Sequence, residues 1–591
     1  MARATASLVV SHDGITLGGF PHTKAVDLAA SSGASLVGYL PAGAGAVATT
    51  VQSKLRESVS VKDFGAVGDG VTDDRLAIQA AMDAVSAAGG GEVWFPPGVY
   101  RISSFLLARN GVALIGHRGA SEIRLDQGVS AQMLANENQV ADIPVDDFGL
   151  INLTWNANAT GTEMFSQSAV AVNGVRRFYA RGCVFENATG YGLGFQAKTS
   201  SPSSINGPQS DIWIEDCVIR NNGFNGTGSG FDGMDFKSTD RLFVKNCIAH
   251  NNAQKGFNFR GFNVNAEGLI AYSNGQQGVE VGGGGDYGCT VNLSNIHAYS
   301  NTLEGVTVAI SDGVSGRRMR VALSNVNSHE NARSGLRVYE NTSLPLFGEF
   351  EVTVNGAILW NNTEYGFINS SATVKGLTVV NVVATGNTLA GIYNNSSNAV
   401  FAGCVSATNA TFGYQGVSGR TGNQFVGGSL SGNTSGPISQ PDTVNVIGVE
   451  GSNSLYLSHL TNAVNFLQIE GRTAGGGPRV SAQGSDTNIE LSLSSKGSGL
   501  VRLFRNNFTD EMLRVIGIAG ATSYFQLAAS TVGRPQIQGA GTAADVDVEF
   551  VPKGAGKVRF GTLVASADAA VSGYIEVKDA GGTVRKLAVI S

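Results

Sequence analysis

The run SGFDGMDFKS, residues 229–238, holds two carboxylates three residues apart, Asp232 and Asp235, among glycines, aromatics and small residues. Two carboxylates flanking one glycosidic bond can cleave it: one protonates the leaving oxygen while the other activates water. The same spacing also fits solvated acids on a surface strand. Aligned on a recurrent glycine, the chain reads GMDFKS, GFNFRG, GVEVGG, GVTVAI and GLRVYE. The second residue after the glycine is Asp235, Asn258, Glu280, Thr307 or Arg337, and the fourth is Lys237, Arg260, Gly282, Ala309 or Tyr339. Side chains alternate along a strand, so these columns share one face and the apolar columns between them share the other. The polar columns are expected to face outward.

Strands stack about 4.8 Å apart, which sets Asp235 and Glu280, two rungs apart, roughly 9–10 Å from each other at the backbone. Side-chain tilt brings such carboxyls into the ~6.5–9.5 Å window of inverting glycoside hydrolysis. Lys237 and Arg260 would tune carboxylate ionisation or hold an acidic sugar, with Asn258 and Arg337 on the same face. Asp232 is a third acidic candidate, and it takes the column of Asp235 if Gly230 is the true rung glycine. A second column lies two residues before each repeat Asn: Arg220, His250, Tyr272, Tyr299, His329 and Trp360. Rings on consecutive rungs make a platform for sugars, or a stack that only stabilises the coil.

What positions these residues is a repeat. Asn252, Asn274, Asn301, Asn331, Asn362, Asn387 and Asn409 are each followed four residues later by glycine and a large apolar residue, with a period of 22 to 31. Such a period with short β-branched strands is a solenoid signature, and the lack of helical periodicity selects a parallel β-helix. The Asn is expected to stack at a turn, with the glycine supplying the turn's backbone freedom. Cys183, Cys217 and Cys247 recur at like places and predict a ladder of core thiols, not a metal site.

The coil is expected over 59–445. It opens with strand, glycine-rich turn and helix in SVSVKDFGAVGDGVTDDRLAIQAAMDAVSAAGGGEVWFPPGVYRIS. Thr72 or Asp73 is expected to cap the helix, Ile78, Ala81, Met82 and Val85 to form its apolar stripe, and Gly89–Gly91 to end it. A strand pair is expected around Pro96–Pro97–Gly98. Residues 1–58 read as a connecting arm. Residues 446–562 hold a duplicated small β-module with Lys496 and Lys553 in matching KGxG turns, and 563–591 form a tail.

Charged residues are 15% of the chain and the net charge is −6, with no basic block beyond GRRMR (Arg317, Arg318, Arg320). This disfavours a nucleic-acid partner. No run approaches the ~20 apolar residues of a membrane span, and no secretion signal is read at the start of the chain. No cofactor is implied.

The segment from VKDFGAVGDG to PPGVYRIS resembles the opening of the pectate-lyase superfamily of right-handed parallel β-helices. GASLVGYLPAGAGAVATTVQSKLRESVSVKDFG and the closing GYIEVKDAGGTVRKLAVIS are similar to bacteriophage tailspikes and tail fibres. The resemblance implies a homotrimeric virion tailspike, made in the bacterial cytoplasm, docked on the phage baseplate or tail through residues 1–58, whose β-helix binds and cleaves a bacterial surface polysaccharide. The Asp-x-x-Asp cluster is similar to endorhamnosidase-type tailspikes, although here Glu280 follows the acid pair and in that family the Glu precedes it. Hydrolysis by Asp235, Glu280 and Asp232 is the leading expectation. A polysaccharide lyase using Lys237 or Arg260, and a non-enzymatic receptor-binding tail protein, are the alternatives.

Overall fold

Strands of this chain alternate between an apolar side and a polar side, so they bury one face only and must close on a common core. In the computed structural model they do so as a solenoid of parallel strands. The structure describes residues 8–11, 14–17, 25–136, 145–160, 168–172, 174–195, 209–224, 230–237, 239–282, 289–310, 318–340, 349–439, 464–470, 479–495, 500–505, 510–515, 521–528, 536–542, 544, 546, 548–555, 570–578, 581 and 583–590. It divides into one unit ending at Ala463 and a second beginning at Val464.

In the first unit most of the described strands form a 23-stranded sheet and an 11-stranded sheet, called here the wide and the narrow sheet, beside three two-stranded pairs. Each coil contributes a long strand to the wide sheet, such as Asn263–Tyr272, Cys289–Tyr299, Arg318–His329 and Glu349–Trp360. It then contributes a short strand to the narrow sheet, such as Met234–Lys237, Phe257–Arg260, Val279–Val281, Val306–Ile310 and Leu336–Glu340. Strand-to-strand crossovers of this kind are right-handed in ~98% of cases.

The narrow-sheet register runs Met234↔Phe257↔Val279↔Val306↔Leu336. These residues, with Phe236, Phe259, Val281, Val308 and Val338, are fully buried, so both apolar columns point inward as expected. Burying each such side chain stabilises the coil by about 1.5–3 kcal/mol. Gly233, not Gly230, begins the Asp235 rung.

The Asn ladder forms. Asn252 donates its Nδ2 to Asn274 Oδ1 at 3.0 Å, and the same bond joins Asn274 to Asn301, Asn301 to Asn331, Asn331 to Asn362 and Asn362 to Asn387. Each side chain thereby satisfies turn backbone that a buried corner would otherwise leave unpaired. Asn222 and Asn433 extend the ladder at its two ends.

The repeat glycine has a different role from the one expected. The left-handed turn residue is the one before the Asn, as in Asn251, Ser273 and Ser300 at φ 53°, 52° and 53°. The glycine is required for space: a Cβ on Gly278 would meet Gly305 O at 2.7 Å and Asn301 Nδ2 at 2.8 Å.

The helix Arg75–Ala87 buries Ile78, Ala81, Met82 and Val85 against the first coils. Its N-cap is Asp74, not Thr72 or Asp73, and the Asp74 carboxylate accepts from the backbone of Val67 and Gly68 to hold the preceding turn. Asp73 accepts from Ser103 and also from the backbone N–H of Arg75, so it satisfies the first helical donor as an N-terminal acid is expected to. Gly89, Gly90 and Gly91 follow the helix with positive φ. Gly91–Phe95 and Gly98–Ile102 do not pair with each other; each pairs with the next coil. Cys183, Cys217 and Cys247 are buried free thiols on successive rungs, and burial raises the Cys183 and Cys217 thiols well above the ordinary value.

The second unit consists, among its described residues, of antiparallel hairpins. Asn465–Glu470 with Arg479–Gly484 and Ser523–Ala528 with Gln536–Gly541 share one register pattern, opening on Asn465↔Gly484 and Ser523↔Gly541. Lys496 and the junction at 446 lie outside the described residues.

Candidate functional site

Two outward columns of the narrow sheet carry the chemistry. One is the anticipated column, in register as Gly194↔Asp235↔Asn258↔Glu280↔Thr307↔Arg337. The other consists of the residue immediately before each rung glycine: Tyr191, Asp232, Lys255, Gln277, Glu304 and Ser334. It was visible in NAQKGF and NTLEGV as a charge in front of the glycine, but only residues after the glycine were aligned.

These columns face away from the core yet are not solvated, which corrects the expectation of an exposed acid face. Asp235 is 0% exposed, Asp232 4% and Glu280 8%. The side chains cover one another. Arg260 donates Nε to Asp235 Oδ1 at 3.0 Å and Nη2 to Oδ2, a forked pair on the fully buried carboxylate. Gly282 leaves room for the Arg260 stem, since a Cβ there would lie 3.2 Å from Arg260 Cγ. Asp232 accepts from Asn258 Nδ2 at 2.8 Å and from the Lys255 backbone at 3.1 Å. Lys255 Nζ lies 3.1 Å from Glu280 Oε1 and 3.9 Å from Asp232 Oδ1. The two carboxylates bridged by this ammonium are thus at most about 7 Å apart.

Electrostatics separates their roles. Burial raises both Asp232 and Glu280 above the ordinary carboxylate range, against the pull of Lys255. Burial alone would lower Lys255, but Asp232 and Glu280 outweigh it and hold the ammonium charged. Burial likewise opposes the charge on Arg260, and Asp235 restores it. Two tyrosines flank the cluster. Burial and then the charges of Asp235 and Asp232 keep the Tyr191 hydroxyl protonated, and burial with Glu280 pushes Tyr339 up to about 12.

The expected pairing therefore changes. Asp235 and Glu280 do stand two rungs apart, but Asp235 is locked by Arg260, and the carboxylates sharing a cation are Asp232 and Glu280. Lys237 is half-buried in register with Arg260. Arg337 donates to Glu304 Oε1 at 2.7 Å, farther along the same face, and Asn258 supports Asp232. Lys255, Tyr191, Tyr339 and Glu304 were not singled out from sequence. Among the described residues no group of three or more His, Cys, Asp or Glu could hold a metal ion.

The aromatic column is continuous but belongs to the wide sheet. His250, Tyr272, Tyr299, His329 and Trp360 stack with ring centroids 4.7, 5.0, 5.3 and 4.2 Å apart and planes within 16°. Arg220 precedes it, in an ion pair with Glu186. Burial lowers His250 below the ordinary histidine value.

Parallel coils, an internal Asn ladder and a charged outer seam define a parallel β-helix. The family model described as rhamnogalacturonase A/epimerase, pectate lyase-like, matches residues 58–307. Mannuronan C5-epimerase AlgE6 of Azotobacter vinelandii is 32% identical over 232 residues, 38% of this chain and 22% of its own length. This chain thus spans about a fifth of that relative. The tail spike protein of Shigella phage Sf6 is 40% identical over 94 residues, 15% of each chain. Among solved structures, the A-module of A. vinelandii mannuronan C-5 epimerase AlgE4 aligns over 66% of this chain and 100% of its own, at 22% identity and a TM-score of 0.47.

Proposed function

We propose that the chain is a virion tailspike whose β-helix binds a bacterial surface polysaccharide and hydrolyses it between Asp232 and Glu280. The observation that carries this reading is their shared Lys255. Burial raises both carboxyls while Lys255 pulls against it, an arrangement that suits one of them to protonate the leaving oxygen and the other, beside the ammonium, to activate water. A charged Lys255 is a poor base, which weighs against a lyase that would use it to remove a proton. Asp235 and Arg260 position the cluster, and Lys237, Arg337 and the rings of His250, Tyr272, Tyr299 and Trp360 extend the binding surface. Residues 1–58 dock on the phage tail, and the protein acts as a homotrimer after synthesis in the host cytoplasm. The resemblance of the chain ends to tail proteins and the tail spike relative support these assignments.

The test is incubation of the purified protein with host surface polysaccharide. New reducing ends without an ultraviolet-absorbing double bond are expected. A second reading is favoured by one observation: Tyr191, a hydroxyl kept protonated by burial and by Asp235 and Asp232, suits proton delivery to a uronate carbon. The relatives include a mannuronan epimerase and alginate lyase 7. An unsaturated product, or deuterium exchange into an uncleaved polymer, would replace hydrolysis with this chemistry. Intact polymer that stays bound would leave a receptor-binding tail protein.

A further inference from the structure

The first halves of the wide-sheet strands carry an outer column used neither by the carboxylates nor by the ring stack at the Asn turn. Its register is Trp213↔Phe243↔Asn265↔Asn292↔Ala322. Side-chain bulk collapses along it, from two aromatic rings to two amides to a methyl, and leaves a groove of about 480 Å³. Trp213 and Phe243 stack at 5.6 Å with their planes 8° apart, and Trp213 is 42% exposed. Rings stacked along the coil axis stand on edge, so one face of Phe243 is covered by Trp213 and the other looks along the groove over Asn265. Asn292 Nδ2 donates to Asn265 Oδ1 at 3.0 Å, which orients both amides and leaves the Asn265 N–H donors and the Asn292 carbonyl for hydroxyl groups. The groove wall holds the ion pair Lys245–Glu267 at 2.8 Å, a pair with no net charge.

We propose that this groove is a second, non-catalytic glycan-binding site, which seats a neutral pyranose on the free face of Phe243 with its hydroxyls on Asn265 and Asn292. An apolar ring face beside a few oriented polar groups is the usual make-up of a small-ligand site. Glu267 neutralises Lys245 and Glu215 adds a second carboxylate to the lining, which selects an uncharged sugar over an acidic one. A second copy of the chain is the less suited occupant, because a stable contact wants a broad apolar patch and this one is a short aromatic step bordered by charges. The site is independent of the chemistry on the narrow sheet, so a polymer could be retained here between cleavage events.

The experiment probes an array of bacterial O-antigen and capsular oligosaccharides with the full-length protein and with Phe243→Ala, Trp213→Ala and Ala322→Phe. Ala322→Phe fills the groove at an exposed position and keeps both rings, so it tests the site even where ring removal disturbs the coil. Binding to neutral glycans is expected to fall about tenfold or more in all three, the worth of roughly one ring contact, with cleavage of short soluble oligosaccharides unchanged. Undiminished binding in Ala322→Phe, no neutral glycan bound by the unaltered protein, or a smaller oligomer by sedimentation in the variants would overturn the proposal. The last outcome would make the groove a subunit contact. Loss of glycan binding with no cleavage by any protein would instead overturn the hydrolytic reading and leave the groove standing.

Discussion

The narrow sheet and the turn-side edge of the wide sheet belong to the same coils, yet they solve opposite problems. On the narrow sheet the outer columns bury charge: Asp232, Asp235 and Glu280 are enclosed with Lys255 and Arg260, and each ion is tolerable only because the next neutralises it. On the wide sheet the outer column stacks rings from His250 to Trp360, each stable on its own terms. The difference teaches where function is concentrated. A ring stack follows from placing aromatics at one repeat position, whereas an enclosed cluster of charges carries a desolvation cost that its own pairing only offsets.

The largest expected effect falls on turnover. Asp232→Asn and Glu280→Gln should each lower polysaccharide cleavage by about 10²–10⁴-fold while glycan binding persists, as measured by reducing-end release. Equal activity in both variants would return the site to a structural role. Lys255→Met comes next: it strands two enclosed carboxylates and should cost about 3–5 kcal/mol in denaturant unfolding, if unfolding is reversible. Loss of much less would mean that the cluster is more open than its geometry implies. A ring deletion is milder, and Tyr299→Leu should cost about 0.5–1.5 kcal/mol beyond any change in buried area, read from denaturant unfolding.

The smallest effect is one of pH. Asp232 and Glu280 have raised values in the folded protein, so the folded state holds their protons more tightly than the unfolded chain does. Their contribution is complete below the ordinary values of 3.8 and 4.5 and is lost as pH rises through the raised ones. Asp232→Asn should therefore gain stability relative to the unaltered protein as pH rises from 4 to 7, read as a widening difference in melting temperature. A constant difference would contradict the burial of this carboxyl.

Much of this was legible in the sequence, for physical reasons that differ between residues. Strand alternation and the offsets of ring and glycine from each Asn are fixed within a rung even though the period varies, so the inward columns, the ladder and the ring stack could be read directly. The rung glycine was located but misassigned, because conformational freedom and close approach both call for glycine and only coordinates separate them. The acids were found together with Arg260 and Asn258, which pair with Asp235 and Asp232, but Lys255, which bridges Asp232 and Glu280, was not. Lys255 and Tyr191 precede the glycine, where the chain leaves the turn, and alternation within a strand does not say that such a residue joins the same face. Enclosure was invisible for a further reason: it depends on how long side chains on neighbouring rungs fold over one another.

The Asn ladder has a consequence for how such a chain changes over generations. Each rung from Asn252 to Asn409 presents the same amide to the rung above as to the rung below, so these turns are interchangeable parts. Excising the 27 residues that separate Asn274 from Asn301 would bring Asn274 beside Asn331 with the same bonds on offer. Genetic exchange at these points can therefore add, drop or swap a turn and its outward residues in one event, and change the outer surface while the core stays the same.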